Sequence, residues 1–145
     1  METRYHLGKN AYPLGNISNW LTGDLDAHKV LMGRLAKLAE DNSKKINILY
    51  GYRSLIEQRA LVHRIFKTNK HKGYYLGKKG SVYNAKGQIV VAAPGRSRHQ
   101  YGLAVDVNTD WVMALDNSIL KKYGLHKPLS YESWHIEPIE TQGPL

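Results

Sequence analysis

At 145 residues, 42% hydrophobic and 23% charged, the chain has the length and make-up of one ordinary globular domain, far from those of a disordered tract. It contains no cysteine, so disulfides, thiolate metal sites and a thiol nucleophile are excluded, and any bound metal must be held by His, Asp or Glu. Lys and Arg number 21 against 12 Asp and Glu, a formal +9, and the segment between Gln58 and Val105 holds ten of these cations and no acid. Such a field attracts an anionic polymer, whether nucleic acid, an anionic membrane surface or bacterial cell wall; the plain alternative is a solvated surface.

The first residues, Met1 to Lys9, lack the apolar run of a secretory leader, and nowhere do the roughly 18 apolar residues of a membrane span occur together. The expectation is a protein made in the cytosol without a signal. Residues 24–41 then put His28, Leu31, Leu35, Leu38 and Ala39 on one stripe, which predicts an amphipathic helix with acids in its first turn and His28 on its apolar side. Ile46-Asn47-Ile48-Leu49-Tyr50-Gly51-Tyr52 reads as a short buried strand. Ser54-Leu55-Ile56-Glu57 is a capping box opening a second helix to about Thr68, with Leu55, Ala60, Leu61, Ile65 and Phe66 as its apolar positions.

Residues 70–95 are rich in Gly, Lys and Tyr without helical period, so they are expected to form a long functional loop with one strand near residues 88–92. Tyr74, Tyr75 and Tyr83, set among its lysines, suit either base stacking or the lining of a substrate groove. In Leu103-Ala104-Val105-Asp106-Val107 apolar residues alternate, predicting a core strand that carries one carboxylate. Residues 117–123 read as a short helix ended by Gly124, and Ser133-Trp134-His135-Ile136-Glu137 as a last strand. No repeat or low-complexity tract interrupts this order, and residues 1–145 are expected to form a single domain.

Asp106 is the residue that asks for chemistry, because a carboxylate among apolar strand neighbours is costly to bury unless paired or bound to a metal. His99 lies seven residues upstream and His135 on another predicted strand. Two His and one carboxylate leave a tetrahedral zinc with one position open for water, the arrangement of a catalytic site. Glu132, three residues before His135, would be available as a base, with Glu137 as its alternative because it shares a strand face with His135. Asp110, the rival of Asp106, reads as a loop or cap residue, and His6, His28, His63, His71 and His126 fall in no motif.

Ser97-Arg98-His99-Gln100-Tyr101-Gly102-Leu103-Ala104-Val105-Asp106 resembles the Ser-x-His-x-x-Gly-x-Ala-x-Asp motif of the VanY-like D-alanyl-D-alanine carboxypeptidase family of zinc peptidases. Glu132-Ser133-Trp134-His135 is similar to its Glu-x-x-His motif, and Gly51-Tyr52-Arg53-Ser54 with Gln58 to its upstream element, all in family order. The resemblance implies an α+β fold of the hedgehog/D,D-peptidase type, a small antiparallel sheet flanked by helices with a zinc site on the sheet. It implies His99, Asp106 and His135 as zinc ligands, Glu132 as general base and Arg53 as the cation that stabilises the oxyanion. Gln58 and Ser97 are implied as supporting or substrate-contacting residues.

The implied substrate is peptidoglycan, cut either at D-alanyl-D-alanine or, as in phage endolysins of this family, at the L-alanyl-D-glutamate bond. No separate wall-binding domain after Leu145 is expected, a departure from the common endolysin pattern. The expected protein is a monomer with no membrane or nucleic-acid partner, stored in the cytosol and released to the wall at lysis. The rival reading is a non-enzymatic basic module for nucleic acid or an anionic wall polymer, with the His and Asp residues serving structure alone.

Overall fold

The computed structural model describes Leu7 and residues 12–141; His6 and the rest of the opening segment lie outside the described residues. In chain order the elements are α1 (Ile17–Trp20), β1 (Leu21–Gly23), α2 (Lys29–Asn42), β2 (Ile46–Tyr50), α3 (Leu55–Asn69), β3 (Tyr75–Leu76), β4 (Val82–Tyr83) and β5 (Ile89–Val91). They continue with β6 (Val105–Val107), α4 (Asp110–Met113), α5 (Asn117–Leu120), β7 (Leu125–His126) and β8 (His135–Pro138). The chain packs as two compact units, Met1–Tyr52 with Tyr101–Pro144, and Arg53–Gln100. No helix of the described residues is long and apolar enough to cross a membrane.

The first unit is built on a five-stranded sheet in the order β1-β2-β6-β8-β7. Its pairs are antiparallel except β1 with β2, which run parallel because α2 carries the chain back between them. Leu31, Leu35 and Leu38 of α2 and Ile48, Val105, Val107 and Ile136 of the strands are at most 1% exposed and share one apolar core. The α+β class read from the sequence is therefore the class observed.

The expected first turn of α2 differs in detail. The helix starts at Lys29 and has no acid in its first turn; His28 is its N-cap, with Nδ1 accepting from the Val30 N–H at 3.1 Å. Asp24 is occupied elsewhere, since its carboxylate accepts the N–H groups of Gly51 (2.9 Å) and Asp26 (3.0 Å) and ties the start of the segment to the end of β2. At the other end of the unit the 117–123 helix appears as α5 followed by a 3-10 turn, and Gly124 ends it at φ +71°. A side chain there would be strained by φ and would meet the Tyr12 ring at 2.6 Å.

Beside Gly124 lies a partly buried ion pair. Arg34 is fully buried, and its Nη1 and Nη2 donate to the two Glu140 oxygens at 2.7 and 2.8 Å while Nη1 also donates to the Gly124 carbonyl. Its guanidinium stands 4.5 Å from the Tyr12 ring centroid. Withdrawing the Glu140 charge weakens two charge-assisted bonds to a fully buried guanidinium, so Glu140→Gln is expected to lower the unfolding free energy by about 1.5–3 kcal/mol in urea titrations. A change below about 0.5 kcal/mol would mean that the pair contributes no more than a surface one.

In the second unit α3 packs against β4 and β5 of a three-stranded antiparallel sheet, β3-β4-β5. The capping box forms as read: Ser54 Oγ accepts from Glu57 N–H at 3.1 Å and Glu57 Oε1 from Ser54 N–H at 3.0 Å. The apolar positions of α3 are not core, however. Gln58 is its one buried residue, and Ile56 is 81% exposed, because a helix on a sheet this small cannot be enclosed. The expected loop of residues 70–95 is two tight hairpins, turned at Gly77–Gly80 and Asn84–Gly87 by bonds of 3.0 Å, and only β5 of its three strands was anticipated. Tyr75 and Tyr83 stack on each other at 5.5 Å and 15°.

Candidate active site

In the first unit, β6 and β8 pair with Asp106 opposite His135. Directly opposed residues of an antiparallel pair put their side chains on the same face, and Asp106 Oδ1 lies 3.0 Å from His135 Nδ1. Glu137, two residues on along β8, shares that face, and its Oε2 lies 2.7 Å from His135 Nε2. Thr141 Oγ1 donates to Glu137 Oε1 at 2.8 Å, so this carboxylate, 3% exposed, is engaged at both oxygens. One imidazole is thus held between two acids. Burial opposes its charged form, but the hydrogen bonds and charges of Asp106 and Glu137 outweigh burial and push His135 up to about 10.

Glu132 sits in the turn that leads into β8, where its carbonyl accepts from the His135 N–H at 3.3 Å. Its carboxylate has no hydrogen-bond partner among the described residues. Burial raises its pKa above the ordinary carboxylate value, His135 counteracts, and the negative Asp106 and Glu137 raise it further. A half-buried acid of raised pKa with free oxygens is equipped to exchange protons. Asp110, in contrast, is exposed at the start of α4, as a cap residue would be.

The second unit holds the remaining motif residues. Arg53 donates from Nη1 to Gln58 Oε1 at 2.8 Å, and Gln58, 1% exposed, is anchored by its Nε2 to the Ala92 carbonyl at 2.7 Å. Gln100 Nε2 donates to the Arg53 carbonyl and to Gln58 Oε1, each at 3.2 Å. The backbone of Arg53 is bonded in turn to the carbonyl of His99 at 3.0 Å. His99, 3% exposed, lies in a 3-10 turn (Arg98–Tyr101) whose start is fastened by the bond from His99 N–H to Ser97 Oγ at 3.3 Å. Sequence reasoning gave Gln100 and Thr141 no part. Gln100 stood inside the quoted motif at an unspecified position, and Thr141 had no signal at all.

Among the described residues, His99, Asp106 and His135 form a group able to hold a metal ion, each offering one ligand atom. Two imidazoles and a carboxylate are donors that suit zinc. The setting of His135 suits the same ion: with its Nε2 proton given to Glu137, Nδ1, on the side of Asp106, would be open to a metal. A cation at Nδ1 would replace the proton that the two acids otherwise retain there.

Comparison with known proteins gives a consistent picture. The family model described as VanY, D-alanyl-D-alanine carboxypeptidase, matches residues 26–126. A D-alanyl-D-alanine carboxypeptidase of Enterococcus faecalis (strain ATCC 700802 / V583) is 34% identical over 71 residues, 49% of this chain but only 25% of that protein. A mutant of the vancomycin resistance D,D-pentapeptidase VanY in complex with Zn(II) superposes with a TM-score of 0.52 at 22% identity, covering 95% of this chain and 85% of that one. VanYB in complex with D-alanine-D-alanine gives 0.54 at 21%, covering 96% and 81%. The LdcB LD-carboxypeptidase gives 0.56 at 19%, covering 97% and 75%. At these identities the solved structures establish likeness of fold.

Proposed function

The chain belongs to the VanY family of D-alanyl-D-alanine carboxypeptidases, and from that membership we propose that it is a zinc peptidase hydrolysing amide bonds in the stem peptides of peptidoglycan. The observation that carries this reading is the line Glu137–His135–Asp106, with Glu132 beside it as a proton-exchanging acid. His99, Asp106 and His135 would hold the ion. Zinc supplies Lewis acidity toward water and toward the scissile carbonyl.

The protein's own groups do the rest. Glu137 orients His135 and keeps its proton on Nε2. Glu132 takes the proton of the attacking water and passes it to the leaving amine, work for which a raised carboxyl pKa is suited. Arg53 offers its guanidinium to the oxyanion that develops on the carbonyl, and the value of that charge depends on its being fixed in advance. Gln58 is buried against Arg53, so we assign it to positioning that guanidinium; Ser97 likewise positions His99.

The family description favours the terminal D-alanyl-D-alanine bond. Mass spectrometry of peptidoglycan digested with the zinc-loaded protein tests the assignment: loss of a terminal D-alanine is the expected result. Cleavage beside the sugar-linked L-alanine would make the protein an endopeptidase of the L-alanyl-D-glutamate type, and no cleavage of either bond would reject hydrolysis of the stem.

A further inference from the structure

The unit Arg53–Gln100 carries eleven Lys and Arg and a single acid, Glu57. That acid is engaged in the capping box at the start of α3. On the sheet of this unit, a cleft of about 380 Å³ is lined by Lys78 and Lys79 from the β3–β4 turn, by Arg96 just beyond β5, and by Ser81 and Tyr83. Among the described residues none of the three cations has an ion-pair partner. Three like charges converging on one concavity repel each other, and an anion seated between them would turn the repulsion into attraction.

Two hydroxyls stand in the lining, beside the apolar Ile89 and Ala92. Ser81 is 5% exposed, and its Oγ accepts the Ala93 N–H at 2.8 Å, which leaves the hydroxyl proton as a donor. Tyr83 contributes a phenol whose ring is already stacked on Tyr75. A Cβ on Gly77 would lie 2.5 Å from that ring, so the backbone there closes on it as well. The cleft therefore offers cations and hydroxyls, and one face of Tyr83 is already taken by Tyr75.

We propose that this cleft is a binding site for the phosphate groups of a polyol-phosphate polyanion, a phosphodiester chain without bases. The room exceeds that needed for one phosphate and admits the flanking polyol units. A nucleic acid would bring the same charge, but Tyr83 and Tyr75 are already stacked on each other, and stacking on free aromatic faces is a main source of affinity for single strands. None of these residues belongs to the proposed catalytic set, so the inference stands or falls independently of hydrolysis.

The test is calorimetric titration of the whole zinc-loaded protein with poly(glycerol phosphate), with inorganic phosphate and with an oligodeoxynucleotide of equal charge. The polymer should bind more tightly than either comparator, and inorganic phosphate should compete with it. The double variant Lys78→Gln, Lys79→Gln should weaken the polymer by at least tenfold and reduce the slope of log affinity against log salt by about 2. The control Lys67→Gln, Lys72→Gln, equal in charge but outside the cleft, should change affinity less than threefold. Turnover of a small soluble peptide and thermal unfolding should be unaltered in both, since all four lysines are exposed. Equal losses in the two variants would overturn the site in favour of a diffuse field. Oligonucleotide binding as tight as the polymer's, or polymer binding no tighter than phosphate's, would overturn the ligand assignment.

Discussion

Replacing His135 by alanine is expected to abolish both zinc binding and hydrolysis, and to destabilise the fold as well. The first two losses follow from removal of a proposed ligand, since a site of three protein donors retains little affinity with two. The third follows from the 2.7 Å contact between His135 Nε2 and Glu137, whose carboxylate is 3% exposed. Losing a hydrogen bond to a buried charged group costs about 1.5–3 kcal/mol. Elemental analysis of the purified protein is the decisive measurement: one zinc per wild-type chain and none in the variant is expected. Full occupancy in His135→Ala would reject the ligand assignment, and an absence of zinc from the wild type would favour the purely binding reading of this basic chain.

The pH dependence of the chelator-treated protein has a definite sign. His135 is raised from 6.5 to about 10 by its two acids, so the folded state retains a proton that the unfolded state releases. The stabilisation from that proton is complete below about pH 6.5 and is lost as pH rises toward 10. With His135 as a ligand, zinc and the proton would compete for its ring nitrogen, so loading at neutral pH should release a proton and weaken as pH falls.

How much of this was legible in the sequence depended on whether the signal was local. The capping box Ser54–Glu57 and the glycine stop at Gly124 involve neighbours in the chain, and both were read correctly. The alternation in β6 sufficed to mark Asp106 as a carboxylate among core residues, and strand period sufficed to put Glu137 on the face of His135. The start of α2 was misread because Asp24 is claimed by Gly51, a partner 27 residues away that no helical pattern encodes. The same limit hid the β3–β4–β5 sheet. Residues 70–95 read as one long loop, because strands of two or three residues are too short to show a period. On α3 the sequence marks apolar positions, and nothing in the helix itself reveals how little of them its small partner sheet covers.

Glu132 and Glu137 were the two candidates for the base, and their surroundings predict opposite phenotypes. For Glu132→Gln the expected result is turnover lowered by on the order of 100- to 10,000-fold with zinc retained, because a carboxylate free of hydrogen bonds can leave without disturbing the ligands. The loss should lie in kcat. In the wild type the acid limb of kcat should fall above the ordinary carboxylate range, since Glu132 must be ionised to act and burial raises its pKa. Glu137→Gln should act on the metal instead. Its carboxylate holds His135 Nε2 at 2.7 Å, and weakening such a contact typically lowers zinc affinity by about 10- to 100-fold. Turnover of that variant should recover largely when zinc is raised to saturation, whereas no zinc concentration should rescue Glu132→Gln. The reverse pattern, a zinc-insensitive loss in Glu137→Gln beside an active Glu132→Gln, would transfer the proton to Glu137 and require His135 to be oriented by another group.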